Sequence, residues 1–407
     1  MPARLQISHL FNVRSSKRVL KSQWQKSGVP FFRGREISTL SKTGCVDNEL
    51  FISEELYLEF TSKYGVPKTG DIVITAIGTI GNSYIVKDSD RFYFKDASVL
   101  WLEKKADVDS RFIDLWFKSS NMWNQLDHGK GATVDTLTIS KLASLKIDLP
   151  PLPEQKRVVA LLDSAFADID KARTNAEQNL KNARELFESY LQQAFHQRDE
   201  SWINVGMSDI CEITPKLVDP KEDQYIDLPH IGAGNIITNT GELIDVKTAR
   251  EENLISGKFI FDDSMVLYSK IRPYLMKVCR PSFTGLCSAD VYPLSPIPKK
   301  IDKNYLFYLL LTKDFTDYAI AGSGRAGMPK VNRIHLFNYQ VSIPNLEKQS
   351  LLVKKIDLIV EQSQALEQHY SLKLSLLDEL KKSLLHKAFT GQLSANVAKA
   401  ATDGQAA

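Results

Sequence analysis

Basic side chains beside turn-forming residues are the groups in this chain whose type and spacing suit recognition of a nucleic acid. They occur in four stretches, residues 31–35, 129–133, 270–273 and 322–330. Glycine lets a loop approach a groove closely, and arginine can bind a guanine edge or a phosphate. The candidate contacts are therefore Arg33, Arg35, Lys130, Thr133, Lys270, Arg272, Arg325 and Lys330. A solvated surface loop is the alternative interpretation of each stretch.

The motifs of common enzymes do not occur in the sequence. A phosphate-binding G-x-x-x-x-G-K-[ST] loop is missing, which argues against ATP hydrolysis. An adenine methyltransferase needs an Asn/Asp-Pro-Pro-aromatic tetrapeptide, and the nearest match, Leu-Pro-Pro-Leu at residues 149–152, lacks both end residues. No C-x-x-C or H-E-x-x-H spacing suggests a metal site. We therefore expect a chain without catalysis, bound cofactor or metal.

Composition and charge are those of an ordinary globular protein. The 407 residues suggest two or three domains, and 43% are hydrophobic and 25% charged. A net charge of +3 permits nucleic-acid binding without arguing for it. No apolar run is long enough to cross a membrane, no secretory signal is visible, and four cysteines without pair motifs fit free thiols in a reducing cytoplasm.

The second half of the chain repeats the first at an offset of 194 residues. The motif at residues 150–155 recurs at 344–349. Further matched positions are Leu162 with Ile356, Asp163 with Asp357, Ala194 with Ala388, and Phe195 with Phe389. Solenoid repeats have periods of about 20 to 50 residues. This repeat is therefore a duplicated module, and the chain has an internal pseudo-twofold relation.

A long helix follows each copy of the repeated motif. No glycine or proline interrupts residues 154–197, and 44 helical residues would span about 66 Å. Apolar residues form a heptad seam with one stutter at Val158, Leu162, Ala165, Ile169, Ala172, Ala176, Leu180, Ala183, Phe187, Tyr190 and Ala194. The second seam is Leu352, Ile356, Ile359, Ser363, Leu366, Tyr370, Leu374, Leu377, Lys381, Leu384 and Ala388. A seam can reflect simple packing, but two equal seams predict an antiparallel helix pair with the globular modules at its opposite ends.

The segments before the helices have strand-like patterns punctuated by turns. Residues 71–77 and 83–86 are examples, residues 265–269 parallel 72–76, and residues 289–291 parallel 97–99. Identity between the globular halves is low, whereas the helices keep register. The frame is therefore duplicated, and the globular surfaces have diverged.

Taken together, these residues resemble the specificity subunit of a type I restriction-modification system, over about residues 4 to 393. The motifs that carry the resemblance lie at residues 28–37, 70–81, 149–155, 263–273 and 387–393. One departure is that residues 344–349 lack the second proline and the Glu-Gln pair of the first copy, which leaves open a different start for the second helix.

The resemblance implies an α+β fold with two mixed α/β target-recognition domains, separated by two long antiparallel coiled-coil helices in a pseudo-twofold internal repeat. The implied boundaries are 1–150 for the first recognition domain, 151–198 for the first helix, 199–343 for the second recognition domain, 344–393 for the second helix, and 394–407 for a flexible tail. The chain would bind double-stranded DNA with a bipartite asymmetric target, two modification subunits that methylate adenine N6, and restriction subunits. S-adenosylmethionine, ATP and Mg²⁺ would bind those partners and not this chain.

Two other classes of function remain as alternatives. A solitary DNA methyltransferase or nuclease could carry its own recognition domains, but the missing catalytic tetrapeptide argues against it. A coiled-coil scaffold without sequence reading would not need arginine-bearing glycine loops.

Overall fold

The structure is a computed structural model that describes residues 3–126, 136–214, 216–324 and 329–393. The chain divides into two compact units, Met1–Ala176 with Leu372–Ala407, and Glu177–Ser371. The first unit contains a globular part, called here the first module. Its elements are β1 (Ala3–Gln6), α1 (Ile7–Leu10), β2 (Phe11–Arg14), β3 (Val29–Phe32), α2 (Gly34–Thr43), β4 (Phe51–Ile52), α3 (Glu54–Tyr64), β5 (Ile72–Thr75), β6 (Ser83–Ile85), β7 (Tyr93–Phe94), β8 (Val99–Lys104), α4 (Ser110–Phe117), α5 (Ser120–Trp123), α6 (Ile139–Ser144) and β9 (Lys146–Leu149).

A long helix, α7 (Leu152–His196), follows the first module, and a second module and a second long helix complete the chain. The second module consists of β10 (Ile203–Gly206), α8 (Met207–Ile210), β11 (Cys211–Glu212), β12 (Leu217–Val218), β13 (Pro229–Ile231), β14 (Lys247–Thr248), β15 (Lys258–Phe261), β16 (Val266–Ser269), β17 (Val278–Cys279), β18 (Gly285–Cys287), β19 (Val291–Pro296), α9 (Lys303–Leu309), α10 (Lys313–Ala321), α11 (Arg333–Phe337) and β20 (Gln340–Ile343). The second long helix is α12 (Leu346–Phe389).

The two modules share the topology of their main sheet. Its strand order is β2-β8-β5-β6 in the first module and β11-β19-β16-β17 in the second. Each module also has a parallel strand pair, β3 with β7 and β13 with β18, and the second module extends this sheet with β12 and β15. An antiparallel pair, β1 with β9 or β10 with β20, joins the ends of each module. The predicted α+β class and internal repeat are confirmed.

The predicted alignment of β5 with β16 is wrong by one residue. The sequence matches Met265 to Ile72, but Ile72 pairs with Leu102 while Val266 pairs with Leu294 at the equivalent position of its sheet. Because successive side chains of a strand point to opposite faces, the corrected match exchanges the predicted faces of the strand. Short apolar runs do not fix such a register in the sequence.

A short buried helix in each module starts at an aspartate cap. The carboxylate accepts hydrogen bonds from the backbone N–H groups two and three residues later, at 2.8 and 3.1 Å for Asp109 and at 2.8 and 3.0 Å for Asp302. Such a cap stabilises a helix by about 1 kcal/mol. Residues 112–117 and 305–309 are buried behind these caps, and each set joins a core that includes residues of the long helices.

In the first unit, the beginning of α7 packs against the end of α12. The Lys381 Nζ atom lies 3.1 Å from Asp170 Oδ1 and 4.9 Å from the centroid of the Phe166 ring, and Arg173 binds Asp378. Partner numbers rise along one helix as they fall along the other, so the two segments are antiparallel. Lys381, one polar interruption of the predicted seam, thus has an anionic partner.

In the second unit, the end of α7 packs against the beginning of α12. Ser363 is 4% exposed, and its hydroxyl donates to the Ala183 carbonyl at 2.5 Å. Arg184 Nε donates to Glu367 Oε2 at 3.1 Å. Near the start of α12, Lys348 Nζ lies 2.8 Å from Asp199, just beyond the end of α7, so this pairing is antiparallel as well. The other polar interruption of the seam, Ser363, is satisfied by the facing backbone.

Every residue of the first predicted seam is buried or half-buried, whereas Leu366 of the second seam is exposed. The seam omits three buried apolar residues of α7, Phe166, Leu191 and Phe195. They belong to the cores that include the modules, and the Phe195 ring lies 5.0 Å from that of Tyr305. The apolar arc of α7 is therefore wider than a heptad seam, because the helix packs on a module as well as on another helix.

The two long helices start in the same way. Gln155 is 1% exposed; its Oε1 accepts from the Asp109 backbone N–H at 2.9 Å, and its Nε2 donates to the Pro150 carbonyl at 2.8 Å. Gln349 makes the same two bonds in the second unit, both at 2.8 Å. We call each of these residues a glutamine clamp, because it ties the helix start to the cap of the neighbouring buried helix.

The sequence departure at residues 344–349 does not move the helix start. α12 begins at Leu346, which is 194 residues after Leu152, and Gln349 keeps the place of Gln155 although Lys348 replaces Glu154. Within the described residues, neither long helix, nor any other, is both long and apolar enough to cross a membrane.

Candidate nucleic-acid interface

Two parallel strands of the first module end side by side. Phe32 of β3 pairs with Phe94 of β7, and the Lys95 N–H donates to the Phe32 carbonyl at 2.8 Å. Arg33 and Lys95 are therefore the first residues after two neighbouring strands, and α2 starts at Gly34, directly after Arg33. An open depression of about 550 Å³ lies at this edge. We call it the basic depression; the side chains that line it include Arg33, Arg35, Ser38, Lys42, Thr79 and Lys95.

The two predicted contacts at the basic depression, Arg33 and Arg35, bind carboxylates. Arg33 donates to Glu36 through Nε at 3.1 Å and through Nη2 at 2.7 Å. Arg35 donates to Glu36 at 3.1 Å and to the exposed Glu49 at 2.6 Å. Both arginines lie where the sequence places a contact surface. The Arg33 guanidinium, however, holds the start of α2, and DNA contact by either residue stays a prediction.

The electrostatics of Glu36 follow from these bonds. Glu36 is 1% exposed, and burial by itself raises the pKa of its carboxyl group. The hydrogen bonds from the Arg33 side chain and backbone outweigh burial and lower the pKa to about 2. Glu36 is therefore a buried carboxylate at neutral pH, and Arg33 is its counter-ion.

Two lysines at the same depression were missed by the sequence reasoning. Lys42, on the last turn of α2, and Lys95, after β7, are both exposed. Neither forms an ion pair or a side-chain hydrogen bond within the described part of the chain. Lys42 stands two residues before Gly44, which ends α2, and Lys95 has no glycine or proline near it in the sequence. The position of Lys95 directly after the aromatic run at residues 92–94 could have drawn attention to it.

At the matching strand ends of the second module, the two residues that follow the strands are uncharged. β13 and β18 pair in the same parallel way as β3 and β7, and the next residues are Gly232 and Ser288. The Ser288 N–H donates to the Ile231 carbonyl at 2.9 Å, which repeats the backbone geometry of the first module. Gly232 and Ser288 thus stand where the first module has Arg33 and Lys95.

The described residues that follow the two glycine-rich stretches predicted to contact a nucleic acid form equivalent bridges. Ile77 forms an isolated bridge with Thr136 in the first module, and Ile271 forms one with Lys330 in the second. Thr136 and Lys330 are 194 residues apart, as are their partners Ile77 and Ile271, so the two bridges are equivalent in the repeat. The predicted contacts that lie outside the described residues are Lys130, Thr133 and Arg325.

Lys270 and Lys330 lie on either side of one aspartate. Their Nζ atoms are 3.6 and 3.2 Å from Asp290 Oδ1. Lys270 also donates to the Ala289 carbonyl at 2.6 Å and lies 5.3 Å from the centroid of the Tyr292 ring. The structure brings these two predicted contacts together. One carboxylate between two ammonium groups leaves a net positive charge there.

Arg272 is the predicted contact that is most available to a ligand. It is exposed, and its side chain has no ion pair or hydrogen bond within the described residues. Its backbone is left-handed, with φ 50°, as is that of Met276 four residues later, with φ 44°. The equivalent turn of the first module has Gly78 and Gly81 at these positions, with φ 76° and 85°.

A left-handed backbone costs a residue other than glycine about 1 kcal/mol or more. In the second module, Arg272 and Met276 adopt this strained backbone, and Tyr274 between them is 52% exposed. Strain of this kind clusters at functional sites. Residues 272–276, called here the arginine turn, are therefore the strongest candidate in the second module for contact with DNA bases.

Three of the four cysteines, Cys211, Cys279 and Cys287, are buried, and Cys45 is exposed. No group of three or more His, Cys, Asp or Glu side chains among the residues the structure describes is arranged to hold a metal ion. Burial raises the pKa of the Cys211 and Cys279 thiols to about 12, and it also raises that of Cys287. Thiols with such pKa values stay protonated at neutral pH and are poor nucleophiles.

Comparisons with known proteins agree with this arrangement. A model of the type I restriction modification DNA specificity domain matches residues 4–179 and again residues 199–374. The EcoDI specificity subunit of Escherichia coli is 28% identical over 313 residues, which is 69% of this chain and 69% of that protein.

Two solved structures have a similar fold, each at 18% identity. The HsdS subunit from Thermoanaerobacter tengcongensis matches with a TM-score of 0.63 over 96% of this chain and 97% of its own. A chain from a structure concerning complex assembly and conformational transition of the type I R-M system matches with a TM-score of 0.74 over 96% and 98%. Because the two domain matches together span more than half of the sequence, this chain belongs to the type I restriction-modification DNA specificity family and carries two copies of its DNA specificity domain.

Proposed function

We propose that this chain reads a bipartite, asymmetric DNA target and that each module reads one half-site. The observation that carries the proposal is the contrast between topology and side chains. The modules share the strand order of their main sheets, yet their cations stand at different positions. Arg33 and Lys95 of the first module have neutral counterparts in the second, and Arg272 has a glycine counterpart in the first. Two modules with one frame and different contact groups suit two different sequences.

The chain would act without catalysis of its own, as the recognition subunit of a larger complex. We propose that two modification subunits dock on the pseudo-twofold frame and that restriction subunits join through them. A repeated frame supports this, because two identical partners need two equivalent surfaces. The glutamine clamps and the equivalent starts of α7 and α12 supply such a repeat. S-adenosylmethionine, ATP and Mg²⁺ would bind the partner subunits, and buried free thiols fit a reducing cytoplasm.

Selection from a random duplex library tests the proposal. The chain, alone and co-purified with co-expressed modification subunits, is incubated with the library, and bound duplexes are sequenced. We expect the complex to enrich two short sequences separated by a spacer of constant length and no preferred sequence. Enrichment of one uninterrupted sequence would contradict the bipartite target.

The alternatives give different results in the same experiment. Methylation or cleavage of duplex by the chain alone, with S-adenosylmethionine or Mg²⁺ added, would indicate a solitary enzyme. Stable assembly with partners but no enriched sequence would indicate a scaffold.

A further inference from the structure

We infer that the basic depression of the first module binds one phosphate of the DNA backbone through Lys42, Lys95 and the Ser38–Thr79 hydroxyl pair. The inference rests on the proposed DNA recognition and goes beyond it, since it assigns a phosphate site to residues outside the candidate loops. It also separates the roles of the four cations at the depression: the two arginines hold α2, and the two lysines bind the ligand.

The charge balance favours an anion. Four cationic side chains line the depression, and Arg33 and Arg35 bind two carboxylates, those of Glu36 and Glu49. Two positive charges, those of the lysines, therefore have no matching carboxylate among the described residues. Asp96 is adjacent to Lys95 in sequence, but it lies 3.6 Å from Arg18. An exposed ammonium group without a counter-ion is a common way to bind phosphate as a point charge.

The hydroxyl pair supplies a donor. Ser38 Oγ and Thr79 Oγ1 are 2.7 Å apart, and Asn82 Nδ2 donates to Ser38 Oγ at 3.0 Å. The pair has two protons, and only one of them can lie between the two oxygens. Neither hydroxyl donates to another acceptor within the described part of the chain. One hydroxyl proton is therefore left for an acceptor at the depression, and a phosphate oxygen would accept it.

The shape of the depression also suits a strand of DNA. It is open, with a volume of about 550 Å³, so it can accept a phosphate that remains part of a polymer. Gly34 and Gly78 line it without side chains. Apart from residues 77–79 themselves, no described heavy atom lies within 4 Å of the place where a Cβ atom of residue 78 would stand. The backbone of the ligand can thus approach the end of β5 closely.

The second module shows that the site is not a constant feature of the fold. At the same strand ends it has Gly232 and Ser288, and its cations Lys270 and Lys330 stand where the first module has Ala76 and Thr136. The phosphate site is therefore a property of the first module, and it should act on one half of the target only.

Salt-dependent binding of the complex to duplex DNA tests the inference. Lys42→Ala, Lys95→Ala and the double variant are compared with Lys63→Ala, which removes one exposed lysine outside the depression and paired with Glu59. Affinity is measured on the cognate duplex and on a duplex mismatched in the first half-site, at several salt concentrations. All the altered residues are exposed, so we expect the variants to fold, and circular dichroism checks this.

We expect each depression variant to lose affinity by the same factor on both duplexes. We also expect each to reduce the slope of log affinity against log salt by about one, while Lys63→Ala does neither. An unchanged salt slope for the double variant, with specific binding by the wild type, would overturn the phosphate site and leave the proposed function intact. A loss on the cognate duplex alone would also overturn it, because that pattern marks a base contact. If the wild-type complex bound no sequence preferentially, the proposed function would fail instead.

A neutral phosphate locates the contact directly. Single methylphosphonates are placed in turn along the first half-site of the cognate duplex. At one position, the methylphosphonate should cost the wild type as much affinity as the double substitution costs on unmodified DNA. The same methylphosphonate should reduce the affinity of the double variant only slightly further. If the loss caused by the methylphosphonate and the loss caused by the double substitution simply added at every position, the assignment would be contradicted.

Discussion

At the scale of single residues, the basic depression separates cations that hold the fold from cations that can bind a ligand. The sequence suggests Arg33 and Arg35 as contacts because both stand beside Gly34, and it contains Glu36 only three residues after Arg33. The pairing of Arg35 with Glu49 needs the fold, because 14 residues separate them. A single lysine such as Lys42 or Lys95 has no local signal in the sequence that distinguishes it from a solvated surface charge.

Glu36 makes the folding stability of the first module depend on pH. Its pKa is about 2 when folded against an ordinary value of 4.5, so its contribution to stability is complete above about pH 5 and is lost as the pH falls towards 2. The difference corresponds to about 3 kcal/mol at most. We expect Glu36→Gln to be less stable than the wild type at neutral pH and nearly as stable as it at about pH 2. Urea denaturation at a series of pH values measures this, and parallel curves for both proteins would refute it.

Arg272 is expected to read a base. Arg272→Ala should cost about 1–3 kcal/mol of binding free energy and relax specificity at one base pair, whereas a phosphate contact would lose affinity uniformly. Arg272→Gly is the matched variant, because it removes the same side chain and also the strain of the left-handed backbone. We expect it to bind as weakly as Arg272→Ala but to melt at a higher temperature. Wild-type affinity of both variants on every single-mismatch duplex would exclude Arg272 from the interface.

At the scale of elements, the long helices are the part of the fold that the sequence predicts best. An uninterrupted heptad pattern fixes their existence, and the offset of 194 relates their starts. The two polar residues in the second seam, Ser363 and Lys381, are satisfied by Ala183 and Asp170. The register of β16 was not predictable, because four consecutive buried residues carry no alternation that marks a face.

The glutamine clamps should matter equally in the two units. Gln155→Ala and Gln349→Ala each remove the partner of a half-buried backbone N–H and of a carbonyl, and each should lower the free energy of unfolding by about 1–3 kcal/mol. Gln193→Ala, at an exposed position of α7, is the control and should change it by less than about 0.5 kcal/mol. Denaturation midpoints measure the effect. A clamp variant as stable as the control would show that the two bonds contribute nothing.

The helix pair should set the spacer between half-sites. Seven extra residues after Ala176 together with seven after Ser371 preserve the heptad phase and add about 10 Å, close to three base pairs. We expect the methylated motif to gain a spacer of about that length with both half-sites unchanged. Insertion into α7 alone is the control, and it should destabilise the protein because the seams no longer match. An active double insertion with the original spacer would rule out the helices as a ruler.

At the scale of the whole molecule, the sequence shows two copies of one frame, and the structure adds that the globular parts share their main-sheet topology. Low identity between the modules hides that topology, because strand order depends on contacts distant in sequence. Neither the sequence nor the structure gives the base sequence of the half-sites. Bases are read by side chains on loops, and Lys130, Thr133 and Arg325 of the candidate loops lie outside the described residues.

Exchange of one module tests most directly the central claim, that each module reads its own half-site. Residues 1–150 are replaced by the equivalent segment of the EcoDI specificity subunit, and the hybrid is produced in cells together with the modification subunits of this system. Methylation-aware sequencing of the host DNA then gives the modified motif. We predict a motif in which one half-site is new and the other half-site is that of the unaltered chain. A motif in which both half-sites change together would contradict the account.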